Sequence, residues 1–125
     1  MENTTHNIDS LILAINRNEA PISELVGLHL NRYGYSDINP IGRVVRVIGK
    51  RSIEVAIIEP TTEWPINATD LKFEVGGFSA HCLNSFNQSW EFAETGETIK
   101  MHVSKSIERN VIPSEKPVKY YDYNF

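Results

Sequence analysis

Apolar residues recur at helical spacing over the first third of the chain and then switch to alternation, which predicts helices followed by strands. Ile8, Leu11, Ile12 and Ile15 share one face of a helix whose other side carries Asp9, Asn16 and Arg17. Asn7 or Thr5 can cap its start. After a break at Asn18-Glu19-Ala20, Pro21 suits the first turn of a second helix. Ile22, Leu25, Val26, His29 and Tyr33 carry its stripe, and Gly34 supplies a left-handed end. Leu13, Leu28 and Leu30 lie off both stripes, so the helices are expected to meet a sheet on one side and another subunit on the other.

From Tyr35 onward the period falls to two. Ile41 to Ile48 and Ser52 to Glu59 are rich in β-branched residues and flank Gly49-Lys50-Arg51, which predicts a hairpin. Two prolines and several turn formers make Pro60 to Asp70 a loop, with Trp64 as its anchor. Leu71 to Val75 alternates. Ser89 to Phe92 and Thr98 to Val103 flank Glu94-Thr95-Gly96-Glu97, which reads as a second hairpin turn. Ile99, Met101 and Val103 should then face in, with Lys100 and His102 outward. The tail from Pro113 ends in Tyr120-Tyr121-Asp122-Tyr123-Asn124-Phe125, and so many rings predict docking on the body or on a neighbouring chain. The fold class is therefore α+β: two N-terminal helices within 1–34, then a mainly antiparallel β-sheet with a C-terminal tail over 35–125, as one domain.

Composition narrows the function. The chain has 125 residues, 41% hydrophobic and 22% charged, which suits one soluble globular domain and offers no membrane segment. Its formal net charge of −4 excludes general nucleic-acid binding, which needs a basic surface. Met1 to His6 has neither a basic nor an apolar signal region, and one cysteine allows no intrachain disulfide, so a cytoplasmic location is expected. Asn67-Ala68-Thr69 matches a glycosylation sequon that carries no meaning there.

The candidate chemistry gathers between Gly76 and Trp90, where two Phe, a Trp, His81, Cys82 and three carboxamides crowd a short segment. Flat rings and two-sided hydrogen-bonding groups suit a planar polar ligand, which needs stacking above and edge contacts around it. Phe78 and Trp90 are placed for stacking, His81, Asn84 and Gln88 for edge contacts, and Arg109 for phosphate. Arg43, Arg46, Lys50 and Arg51 form a further basic group on the first hairpin, although alternation puts Arg43 and Arg46 on opposite faces.

Catalytic readings fare worse. Cys82 with His81 or His102 could make a nucleophile, but cysteine is commonly a small buried hydrophobe and strand neighbours point to opposite faces. Glu91, Glu94 and Glu97 flank a turn and suit a solvated rim. No metal-ligand spacing and no P-loop occurs, so no metal or cofactor is expected.

The run Gly76-Gly77-Phe78-Ser79-Ala80-His81-Cys82-Leu83-Asn84, the following Gln88-Ser89-Trp90 and the aromatic ending resemble short bacteriophage and prophage proteins. In helix start, antiparallel sheet and length, the chain is similar to the phage Thoeris anti-defence proteins, which act as sponges for a cyclic ADP-ribose signal. The resemblance implies a non-catalytic homo-oligomer in the bacterial host cytoplasm, built partly through the N-terminal helices. It would sequester a small nucleotide-like molecule at subunit boundaries. The alternatives are an inhibitor or immunity-type protein acting through its acidic surface, and a small hydrolase.

Overall fold

The helical stripe from Ile8 to Ile15 forms as a 3-10 turn, Ile8–Ser10, that runs into a short helix α1, Leu11–Asn16. The computed structural model describes residues 7–34, 36–67 and 88–121. Leu11, Ile12, Ala14 and Ile15 are buried along α1. Asn7 makes no side-chain cap; instead the Ser10 hydroxyl donates to the Asn7 carbonyl at 3.1 Å.

The expected second helix does not form. Ile22–Leu25 makes one 3-10 turn, and Gly27 then takes φ +91°, a left-handed backbone that ends it seven residues before Gly34. Gly27 N–H donates to the Val44 carbonyl at 2.8 Å and Val44 N–H to Leu28 at 2.9 Å, which starts strand pairing at once. His29–Tyr33 is therefore strand β1, hydrogen-bonded on both sides. Ladder bonds to two neighbours outweigh the weak helical preference of a stripe that contains Val, His and Tyr.

The remaining strands are β2, Ile38–Val47; β3, Ser52–Pro60; β4, Phe92–His102; and β5, Val111–Ser114. All pairings are antiparallel in the order β4-β3-β2-β1-β5. The β2–β3 hairpin lies where alternation predicts it. Glu94 to Glu97 does not make a second hairpin turn: β4 runs through it. From Ala56 to Ile58 the partner on β4 jumps from Thr98 to Glu94, so the extra residues bulge outward. Gly96 takes φ +88° there and the Thr95 hydroxyl accepts from Glu97 N–H at 3.2 Å. A turn signal in the sequence has become a bulge because strands on either side of it pair with the same neighbour.

One face of the sheet packs on α1. Leu11, Ile12 and Ile15 meet Leu25, Leu30, Val44, Ile53, Val55, Val103 and Val111 in a single core. Burying each such side chain contributes about 1.5–3 kcal/mol. Leu28 packs at its edge. Two of the leucines that prompted the expectation of a partner subunit are thus absorbed by the chain itself. Just past β4, Val103 is buried; within the strand Met101 is half-buried, but Ile99 is exposed at the sheet edge. Arg51 ties the layers together: its guanidinium donates to the Val103 carbonyl at 3.1 Å and to Asn16 Oδ1, while Asn16 Nδ2 donates to Glu108 at 2.7 Å. No helix among the described residues is long and apolar enough to cross a membrane.

Candidate aromatic hollow beneath the tail

Asn31 is the polar group from which the site is built. It is 1% exposed, and its side chain can be buried only because every polar atom is used. Nδ2 donates to the Ile112 carbonyl at 3.1 Å and to Ser114 Oγ at 2.8 Å, and Oδ1 accepts from Val118 N–H at 2.8 Å. The chain after β5 is thereby turned back across the sheet. Tyr120 then pairs with Ile38 through two backbone bonds, of 2.9 and 2.8 Å, and buries its ring. As far as Tyr121 the tail docks on the body, with Tyr120 buried and Tyr121 exposed; Tyr123 and Phe125 lie outside the described residues.

Gln88 fastens the next residue. Its Nε2 donates to the Tyr121 carbonyl at 2.8 Å and its Oε1 accepts from Tyr121 N–H at 3.0 Å, so the amide substitutes for one backbone bridge. The same Oε1 accepts from Trp90 Nε1 at 3.2 Å, which orients the indole. On the other side, the segment after β3 lies along residues 89–91: Thr61 N–H donates to Glu91 at 2.9 Å and Ile66 N–H to Ser89 at 2.7 Å. Asn67 Oδ1 accepts from Ser89 N–H at 3.0 Å.

These three segments enclose an open hollow of ≈ 780 Å³ whose lining includes Glu59, Glu63, Trp64, Trp90, Lys119 and Tyr121. A smaller hollow of ≈ 320 Å³ shares Trp90 and Lys119 with it and includes Gln88. Trp64 is 52% exposed and Tyr121 44%, so much of their ring surface faces water. Trp64 is not the buried anchor of its loop; the neighbouring Pro65 is buried instead. Lys119 Nζ stands 4.9 Å from the Trp90 ring centroid and donates to Asn39 Oδ1 at 2.7 Å. Burial lowers the Lys119 pKa, while Asp37 works in the opposite direction.

Of the residues singled out in the sequence, Gln88 and Trp90 come together here. Gln88 supports the wall with both of its amide atoms. Arg109 is exposed in the turn before β5 and lines neither hollow. Phe78, His81, Cys82 and Asn84 lie outside the described residues. Trp64, Lys119 and Tyr121 join the site from segments distant in sequence, and the aromatic tail was the one signal that could have found the last of them.

The arginines of the first hairpin are engaged elsewhere. The β2–β3 register shifts between Val44 and Arg46, which brings Arg43 and Arg46 onto the same face despite their odd spacing. Arg43 pairs with Glu94 at 2.9 Å and Arg46 with Glu54 at 2.6 Å. Beside Arg43, His29 Nδ1 is buried without a hydrogen-bond partner among the described residues. Burial first, then the Arg43 charge, lower the His29 pKa, and Glu94 opposes them. Among the described residues, no three His, Cys, Asp or Glu side chains gather in a way that could hold a metal ion.

In comparisons with known proteins, no family model, no curated protein and no solved structure matches the chain.

Proposed function

We propose that this chain is a non-catalytic binding protein that holds a small, flat, nucleotide-like molecule in the hollow between Trp64, Trp90 and Tyr121. The observation that carries the reading is the convergence of three rings from separate segments on one open, polar-rimmed cavity. Exposed indole and phenol faces are costly in water and gain most from a stacked planar partner. A catalytic role needs a general acid or nucleophile held in place by a neighbour. Glu59 and Glu63 are exposed on the rim, and among the described residues no neighbour is shown holding either carboxylate.

Sequestration of a signal molecule inside a bacterial host, and with it the countering of host defence, is the biological role that the resemblance to phage anti-defence proteins adds. Self-association belongs to the same proposal. β4 is an edge strand among the described residues and is exposed from Ala93 to Lys100. Antiparallel pairing of two copies would bring Glu94 and Glu97 of one towards Lys100 and His102 of the other.

Thermal denaturation against a panel of nucleosides, nucleotides and cyclic dinucleotides tests the reading. A bound ligand raises the melting temperature with the logarithm of its concentration, and Trp90→Ala should abolish the rise. The ligand should be recovered chemically unchanged from denatured protein. No shift with any member of the panel refutes the proposal.

A further inference from the structure

The space beneath the tail does not end at Trp90. The smaller hollow of ≈ 320 Å³ adjoins the larger one of ≈ 780 Å³, and Trp90 and Lys119 line both. Away from that shared boundary the two linings differ. Trp64 and Tyr121 belong to the larger hollow, whereas Phe92, Pro117 and Val118 belong to the smaller. Phe92 and Trp90 are both half-buried, so each hollow has a ring that the chain covers only in part. Each volume lies within the range of about 300–1,000 Å³ that small-molecule sites occupy.

Charge is distributed unevenly over this space. Of the two hollows, Glu59 and Glu63 line the larger alone, while Lys119 stands at the boundary. Its Nζ lies 4.9 Å from the Trp90 ring centroid and gives one of its three N–H donors to Asn39. A single nucleotide held in the larger hollow would leave Phe92 unused and bring its terminal phosphate into a space lined by two carboxylates. A ligand with one ring in each hollow covers Phe92 as well, and sets the single charge of its linking phosphate against the Lys119 ammonium. We propose that the two hollows together take a ligand of two flat rings joined through a phosphate, a dinucleotide in preference to a mononucleotide. This rests on the proposed function and adds the number of rings and the place of the phosphate. With a net charge of −4, the protein lacks the basic surface that would extend such binding to a strand of nucleic acid.

Both tryptophans of the chain line the larger hollow, so intrinsic fluorescence follows its occupancy. Adenosine monophosphate and the linear dinucleotide adenylyl-3′,5′-adenosine are titrated against the full chain, against Phe92→Leu and against Lys119→Met. Leucine keeps apolar volume at position 92 and removes the flat ring, and the melting temperature of each variant checks that it folds. The dinucleotide should bind the unmodified chain about tenfold or more tightly than the mononucleotide, the gain expected from stacking a second base. Phe92→Leu should erase most of that preference while leaving the mononucleotide affinity unchanged, and Lys119→Met should reduce it. Equal binding of both ligands by the unmodified chain, or a dinucleotide preference that survives in both variants, overturns the two-ring assignment and leaves the flat-ligand reading in place. Emission unchanged by either ligand at millimolar concentration overturns that reading as well.

Discussion

Among the described residues, replacing Asn31 with alanine should do more damage than any other single change to a polar side chain. Asn31 is buried, and its amide makes three hydrogen bonds that hold β5 and the returning tail in place. At about 1 kcal/mol net each, their loss amounts to about 3 kcal/mol. Stranding the Val118 N–H away from its acceptor raises the total to about 4 kcal/mol. For a chain of 125 residues this corresponds to a melting temperature lower by about 15 °C. Equilibrium urea denaturation followed by far-UV circular dichroism measures the loss directly, and an unchanged denaturant slope would show that the folded state keeps its compactness. Asn31→Asp separates the two halves of the argument. It keeps an acceptor for Val118 but cannot donate to Ile112, and it buries a charge, so it should be at least as destabilising. A loss under about 1 kcal/mol for Asn31→Ala would show that the tail is held by something else, most directly the Ile38–Tyr120 bridge.

Three further changes probe other levels of the structure. Gly42→Ala places a methyl 2.1 Å from the Ala56 carbonyl oxygen and 2.8 Å from Val55 Cγ1, so the β2–β3 spacing must yield. A loss of at least about 3 kcal/mol in denaturation is expected, and a neutral result would refute that close approach. His29, whose folded pKa lies below its ordinary value of 6.5, binds its proton more readily when unfolded. Its contribution to stability is therefore complete above pH 6.5 and is lost as pH falls through the lowered folded value. His29→Gln should flatten this part of the pH profile, and an unaltered profile would refute the role of its burial. In the proposed antiparallel β4–β4 pair Lys100→Glu puts like charges together, so the mass from multi-angle light scattering should fall from that of a dimer to that of a monomer, and a monomer mass for the unmodified chain refutes the pairing. An oligomer unaffected by this change would place the contact elsewhere.

The strands that alternate against a single neighbour were legible in the sequence. Ile53 and Val55 on β3 and the Gly49-Lys50-Arg51 turn define the hairpin locally, so pattern and structure agree. The failures occur where a distant segment decides. Leu25 to Tyr33 carries a helical stripe, but β5, from some 80 residues downstream, offers His29–Arg32 a second ladder, and the stripe loses to it. Glu94-Thr95-Gly96-Glu97 has the composition of a turn because a bulge with Gly96 at positive φ needs the same residues. Parity failed for Arg43 and Arg46 for the same reason, a register shift that no local pattern announces.

The site was legible only in part, and its construction explains why. A flat ring and an amide stand close in sequence at Trp90 and Gln88, which suits a ligand contact, yet the amide is consumed by Tyr121 and by Trp90 itself. An amide buried among aromatics must find partners, and here a returning backbone supplies them before any ligand does. The other groups on the lining, Trp64 in a loop, Tyr121 in the tail and Glu59 and Glu63 on the rim, come from segments that a local reading does not bring together. Residues 119–121 join 59–64 and 88–90 because Asn31, the Ile38–Tyr120 bridge and Gln88 hold the returning chain. The proposed binding hollow and the docked tail thus share residues. Loosening the tail at Asn31 draws Lys119 and Tyr121 from the wall, whereas loss of the Gln88 amide also removes the bond that orients Trp90. Gln88→Ala should accordingly weaken binding through the wall it holds while costing less stability than Asn31→Ala, because the Gln88 side chain is half-exposed whereas that of Asn31 is buried.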